Sequence, residues 1–220
     1  MAFKGLIEAV CPRGCEPFET EVWSFVRGDK DAELRETLVA QELNLLLCPQ
    51  CGTAFFPEAP VVYLDSAAEL LAFVFPASYR EREEYWRNKM GADFAAMRQA
   101  LGERALADME PRIFFSFEEL SRLLEEDDYQ SEEREVMEFI ARDLGLSLYS
   151  VSPRYARDNR IPSSLPFVSG AAGATLASVA AGLEKLLAAN AHLESYGAFF
   201  EAIREGRHKK LPPPAARGRC

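Results

Sequence analysis

The stretches Cys11-Pro-Arg-Gly-Cys15 and Cys48-Pro-Gln-Cys51-Gly52 decide the fold of the front half of this 220-residue chain. Proline follows the first cysteine of each pair, so the two stretches are variants of one turn. Two cysteines separated by two or three residues can bind a single metal ion, and two such pairs complete the tetrahedral set that zinc prefers. The predicted ligands of a structural zinc ion are Cys11, Cys15, Cys48 and Cys51.

The residues inside these pairs suit metal-binding turns. Proline fixes φ, and glycine permits the positive φ with which a chain leaves such a turn. Gly52 stands directly after the second pair, and Gly14 stands inside the first. Four thiolates leave zinc no open coordination position, so the predicted site holds structure and does not activate water.

Three other cysteine chemistries were compared with structural zinc. The sequence Cys48-Pro-Gln-Cys51-Gly52 is similar to the second knuckle of rubredoxin, which makes an iron electron carrier one alternative. A glutaredoxin-like redox pair is a second, but the segment after Cys51 does not begin a helix, and that chemistry uses a helix N-terminus. A zinc deaminase is excluded, because its His-x-Glu ligand motif lies upstream of the cysteines and both histidines here lie downstream.

Composition limits the class of partner and the compartment. The net charge of −10 argues against nucleic acid, whose binding depends on positive charge. Residues 161–183 carry no charge, but they are rich in Ala, Gly and Ser and contain two prolines, so no membrane span is expected. Residues 1–8 do not resemble a signal peptide. We therefore expect a cytoplasmic protein whose thiols stay reduced, which favours a metal over disulfides.

The front half alternates strands with one short helix. Apolar and β-branched runs bounded by turn residues predict strands, and Asp29 or Asp31 can cap a helix that runs to about Ala40. The expected strands are residues 3–10, 18–26, 43–47 (buried), 60–65 and 70–76.

From Ser78 onwards the pattern is mainly helical. Capping boxes at Ser78/Glu81 and Ser116/Glu119 predict two helix starts. The first helix presents an apolar stripe of Trp86, Met90, Phe94, Met97 and Leu101. We expect a break within the acidic run 125–128, because acids at a helix C-terminus oppose its dipole. The remaining expectations are a helix from Ser131, a strand over 146–151, a loop over 154–166 and one long helix over about 174–205.

The first half of the chain resembles the CpXC family, which is named for its paired Cys-Pro-x-Cys motifs. The resemblance covers roughly residues 6–125 and is carried by both cysteine pairs, the Asp31–Leu38 helix and the order of the strands that end at Pro76. The first pair is one residue wider than the family name describes. The resemblance implies a bacterial or archaeal protein with a four-cysteine, metal-binding domain. The family has no established activity, so the resemblance implies none.

The sequence thus predicts an α+β fold in four parts. They are a zinc-ribbon-like four-cysteine β core (1–77), a helical part of the CpXC-like domain (78–130), a mainly helical region (131–206) and a flexible tail (207–220) that ends in a free thiol, Cys220. The predicted function is a non-catalytic protein-binding or scaffold module. An enzyme with an anion site remains an alternative, with candidates Arg154, Tyr155, Arg157, Asp158 and Arg160.

Overall fold

The computed structural model describes residues 2–101, 106, 109–170 and 173–215, and it divides the α+β chain into two compact units. Unit 1 is Met1–Glu125 and unit 2 is Glu126–Cys220. Unit 1 contains β1 (Phe3–Ala9), β2 (Phe18–Arg27), α1 (Ala32–Val39), β3 (Leu46–Leu47), β4 (Ala54–Phe55), β5 (Val61–Asp65), β6 (Leu70–Val74), a 3-10 helix (Ala77–Arg82), α2 (Glu83–Leu101) and β7 (Pro111–Phe114). The unit boundary lies within α3 (Phe117–Asp143), and β8 (Ser147–Ser150), α4 (Pro153–Asn159), β9 (Ser164–Phe167), α5 (Leu176–Ala189) and α6 (Glu194–Arg204) belong to unit 2.

Unit 1 is built on a five-stranded mixed sheet with the order β1-β2-β5-β6-β7. β1 and β2 are antiparallel, as are β5 and β6, whereas β2/β5 and β6/β7 are parallel pairs. Parallel neighbours need a crossover connection. The first crossover contains α1 and the short β3–β4 hairpin, and the second contains α2.

Both faces of the central strands are buried, which explains the unbroken apolar sequence of β6. Leu70, Ala72 and Val74 pack in a core with Leu38 of α1 and Leu120 of α3. Leu71 and Phe73 point to the opposite face, where they pack with the stripe of α2. The stripe residues described there are Trp86, Met90, Phe94 and Met97, as the spacing predicts, and the side chain of Leu101 lies outside the described residues.

Two local expectations in unit 1 were wrong. The predicted buried strand over 43–47 is reduced to β3, and Leu47 is exposed, because Asn44 adopts a φ of 61° and its amide group bonds the backbone N and O of Trp23. Ser78 does not cap a helix but donates a hydrogen bond to Glu58, and α2 begins at Glu83 after the 3-10 helix. The Ser116 cap was correct, since its Oγ accepts from Glu119 N.

The expected break at residues 125–128 is absent, and α3 runs continuously from Phe117 to Asp143. The acidic residues therefore lie within the helix and not at its C-terminus, so they do not oppose a terminal dipole. One of them, Asp127, forms an ion pair with Arg157 of α4 at 2.8 Å.

Unit 2 packs its helices against the β8–β9 hairpin. The predicted loop over 154–166 consists largely of α4 and β9, and Ser152 caps α4. The predicted single long helix is divided into α5 and α6, because Asn190 leaves the helical conformation (φ −140°, ψ 85°). This turn lets Tyr196 and Phe199 of α6 fold back into the core that contains Leu183 of α5.

The segment after α6 differs from the expected flexible tail. Pro214 forms a β-bridge with Val151, and Pro213 O accepts a hydrogen bond from Ser152 N at 2.9 Å. Leu211 packs against the core of unit 2. The prolines lack N–H donors, but Pro213 O accepts from Ser152 N, and Ala215 N donates to Ser150 O at the edge of β8. Cys220 lies outside the described residues.

Among the helices of the described residues, none has the combination of length and apolarity needed to cross a bilayer.

Candidate metal centre

The two cysteine pairs lie in the two loops that the fold brings together at one end of unit 1. Cys11 and Cys15 lie in the loop between β1 and β2, while Cys48 and Cys51 lie in the turn between β3 and β4. Cys11 and Cys48, the first cysteine of each pair, are buried; Cys15 is half-buried and Cys51 is exposed. The four residues that the sequence predicts as ligands are thus positioned by strands.

Contacts beside the cysteines hold the two loops against each other. Gln50 Nε2, inside the second turn, donates to the carbonyl of Glu16, the residue directly after the first turn, at 3.4 Å. Just outside the turns, the rings of Phe18 in β2 and Phe55 in β4 meet edge to face, with centroids 6.3 Å apart. These contacts connect residues that are more than thirty positions apart in the chain.

The four Sγ atoms lie within 4.8 Å of one another. Cys11 Sγ and Cys51 Sγ are 3.7 Å apart, too far for a disulfide, whose S–S bond is about 2.05 Å. Zinc–sulfur bonds of about 2.3 Å in a tetrahedron place sulfur atoms about 3.8 Å apart. The cluster therefore fits a single ion after small side-chain adjustments, and the residues present can hold a metal.

The backbone of both turns has the conformation that the sequence predicts. Gly14 has a φ of 78° and Gly52 a φ of 69°. Gly14 N donates to Cys11 O at 3.0 Å, and Gly52 N donates to Cys48 O at 2.8 Å. Both turns therefore close on the carbonyl of their first cysteine, over three residues in the first pair and four in the second. Arg13 N also approaches Cys11 Sγ at 3.4 Å, as amides do around bound thiolates.

Thr53 is a contributor that sequence reasoning missed. Its Oγ1 lies 3.2 Å from Cys51 Sγ, and its carbonyl accepts from Cys48 N at 2.9 Å. Hydrogen bonding by Thr53 lowers the pKa of Cys51 to about 6. A hydrogen bond with Cys51, together with burial, raises the pKa of Cys15 to about 12.

A family model described as CpXC protein matches residues 9–138, well over half of the chain. The chain belongs to the CpXC family. The match confirms the resemblance inferred from the cysteine turns and the order of the strands. No curated protein and no solved structure matches the chain. As a CpXC protein, the chain carries all four family cysteines in one cluster, and the wide first pair does not keep Cys15 out of it.

The second candidate site of this CpXC protein has a different structure from the one expected. Arg154, Tyr155, Arg157 and Asp158 lie on the short helix α4, and Arg160 follows it with a φ of 51°. Arg157 is buried, with only 5% of its side chain exposed, and it pairs with Asp127 inside unit 2. Arg157 is therefore part of an internal ion pair, whereas Asp158 and Arg160 are exposed.

Proposed function

We propose that this CpXC protein is a non-catalytic module in which one structural zinc ion organises unit 1 and in which the surface around the metal turns binds another protein. The observation that carries the proposal is the single cluster formed by four sulfur atoms from two distant loops. The cytoplasm, where thiols remain reduced, is the compartment in which such a set stays available for a metal.

A structural role follows from the number and kind of ligands. Four cysteines fill the coordination sphere of zinc, whereas a catalytic zinc keeps a position for water or substrate. The histidines do not supplement the site: His192 is exposed in unit 2, and His208 packs on the ring of Phe199. The buried ion pair between Asp127 and Arg157 likewise favours a structural role for Arg157, which is one of the candidate anion-site residues of the enzyme alternative.

The metal itself is tested by elemental analysis of the protein purified from its expression host. We expect about one zinc per chain and a colourless sample. One iron per chain with visible thiolate-to-iron absorption would instead support the rubredoxin-like carrier. Protein that contains neither metal after aerobic and anaerobic preparation would exclude a metal module.

The structural role is tested separately with Cys48→Ser, which removes a buried ligand. We expect this variant to lose its zinc and to melt at a clearly lower temperature, because metal binding supplies folding free energy. The matched control is Cys220→Ser, a cysteine outside both pairs in sequence, which should retain the metal. A zinc-free Cys48→Ser protein that melts like the wild type would rule out a structural ion.

A protein-binding role is supported by apolar side chains beside the second pair. Leu47 lies in the β3–β4 hairpin, Leu45 and Phe56 flank it, and Leu45, Leu47 and Phe56 are 45%, 67% and 46% exposed. Apolar patches on a rigid surface mark interaction sites. In affinity capture from host lysate, Leu47→Ser should reduce recovery of any specific partner, whereas Val168→Ser, an equally polar change at an exposed site of unit 2, should not.

A further inference from the structure

The sheet of unit 1 ends in two very different edge strands. β7 has four residues, begins with Pro111 and is therefore a short, blocked edge. β1 forms the opposite edge with seven residues, Phe-Lys-Gly-Leu-Ile-Glu-Ala, none of them proline. Within the described parts of the chain, no strand pairs with the outer side of β1. An edge of this length is a template for another strand.

The outward face of β1 carries an apolar side chain between two opposite charges. Leu6 is 67% exposed, and Lys4 and Glu8, which lie two residues before and after it, point to the same face. Across β2, Leu6 lies opposite Glu21 and Glu8 lies opposite Glu19. This face therefore carries more acidic than basic side chains, although Lys4 forms an ion pair with Glu21 at 3.7 Å. A further cation opposite Glu8 would offset that imbalance.

We propose that β1 pairs with β1 of a second copy of this chain, in an antiparallel, two-fold symmetric arrangement centred on Leu6. In such an isologous contact, if residue i of the first copy faces residue j of the second, then residue j of the first copy faces residue i of the second. Centring on Leu6 places Lys4 opposite the second copy's Glu8, Glu8 opposite its Lys4, and Leu6 opposite Leu6. The two sheets then form one continuous ten-stranded sheet.

The charges and the length of the strand select the same register. Centring on Leu6 pairs all seven residues of β1 and produces two opposite-charge pairs on either side of an apolar pair. Centring on Gly5 or on Ile7 pairs fewer residues and places Leu6 opposite Lys4 or Glu8. Charged residues on an edge strand usually prevent pairing, but here Lys4 of one copy faces Glu8 of the other, and the two charges attract. This inference does not depend on the identity of the metal or on the proposed function.

The test compares self-association of the purified wild type, Lys4→Glu, Glu8→Lys and the double exchange by sedimentation equilibrium. A single strand pair buries little surface, so we expect a concentration-dependent dimer. Each single variant creates two like-charge pairs and should raise the dimer dissociation constant roughly tenfold. The double exchange restores both opposite-charge pairs and should return the constant to near the wild-type value.

Mixing the two single variants gives a second, independent readout. Every charged pair across the interface is then Glu against Lys. The mixture should therefore form heterodimers, although neither variant dimerises well alone. Lys89→Glu, with the same charge change on α2, is the control and should dimerise like the wild type. Thermal melts and zinc content of every sample separate loss of pairing from loss of fold or metal.

Three results would overturn the inference. One is a wild-type protein that remains monomeric up to its solubility limit. Another is a double exchange as weak as the single variants. The third is a dimer that Leu6→Lys, which places two like charges on the symmetry axis, leaves unchanged.

Discussion

At the scale of single residues, Thr53 shows how a neighbour can prepare a ligand. It follows Gly52, whose positive φ turns the chain so that the Thr53 hydroxyl reaches Cys51 Sγ while the Thr53 carbonyl closes the turn on Cys48 N. Cys51 is the exposed one of the four candidate ligands, and its hydrogen bond with Thr53 limits the motion of its side chain. Partners of this kind are a large part of what holds a metal ligand in place.

We expect Thr53→Val to weaken zinc binding by about 10- to 100-fold, because it removes the hydroxyl and keeps the shape. Thr53→Ser retains the hydroxyl and is the matched control. Competition with a chromophoric zinc chelator measures both affinities. Equal affinities for the valine and serine variants would show that the hydrogen bond does not tune the site.

At the scale of secondary structure elements, a close approach determines how α5 packs on β9. A Cβ atom at Gly182 would lie 2.4 Å from Pro166 O and 2.7 Å from Phe167 Cα. These are backbone atoms of β9 and cannot move aside as a side chain would. Gly182 is therefore a close packing contact between α5 and β9.

We expect Gly182→Ala to destabilise unit 2 by about 1–3 kcal/mol through overpacking, even though alanine is the better helix former by about 1 kcal/mol. Gly197→Ala in α6 is the control, since the nearest atom to its Cβ would be Leu187 Cδ2 at 4.0 Å. That variant should be neutral or slightly stabilising. Urea unfolding followed by circular dichroism compares the two, and an unaffected Gly182→Ala protein would contradict the close packing.

The C-terminal segment acts as an added strand at the edge of β8. Ala215 N donates to Ser150 O at 3.0 Å, and Tyr149 Oη donates to Pro212 O at 2.6 Å. We expect truncation after Gly206 to destabilise unit 2 by roughly 2–3 kcal/mol, since each lost hydrogen bond contributes about 1 kcal/mol. Truncation after Ala215 keeps every one of these contacts and should leave the melting temperature unchanged. If both truncated proteins melt alike, the segment does not stabilise the fold.

At the scale of the whole molecule, the candidate metal centre and the core built around α5 and α6 belong to different units. All four clustered cysteines lie in Met1–Glu125, whereas the core that contains Leu183 and Tyr196 lies in Glu126–Cys220. Loss of the metal should therefore act on one unit and changes in α5 on the other.

We expect a zinc chelator to lower the melting transition of unit 1 and to leave that of unit 2 in place, because ligand binding stabilises only the structure that binds it. Gly182→Ala should instead lower the melting transition of unit 2. Differential scanning calorimetry of the full chain with and without chelator resolves the two. A single transition that shifts equally under both treatments would mean that the units unfold together.

The sequence by itself determined the features that depend on neighbouring residues. The two cysteine turns, their positive-φ glycines, the alternation of β1 and β2, the Asp31 cap and the stripe of α2 all follow from spacing and local backbone preference. The cluster was predictable for the same reason, since two similar turns with paired thiols suit a single ion and therefore come together. Trp86 and Met90 face the sheet because their spacing leaves them no other common face.

Only the tertiary structure decided the features in which a contact with a residue distant in the sequence overrides the local preference of the chain. Asn44 ends a predicted strand by bonding Trp23, and Asp127 lies in an unbroken helix opposite Arg157. The segment after α6 is ordered by the edge of β8, which its own sequence does not reveal. Local propensities amount to tenths of a kcal/mol per residue, and burial or a hydrogen bond supplied from elsewhere in the chain exceeds them.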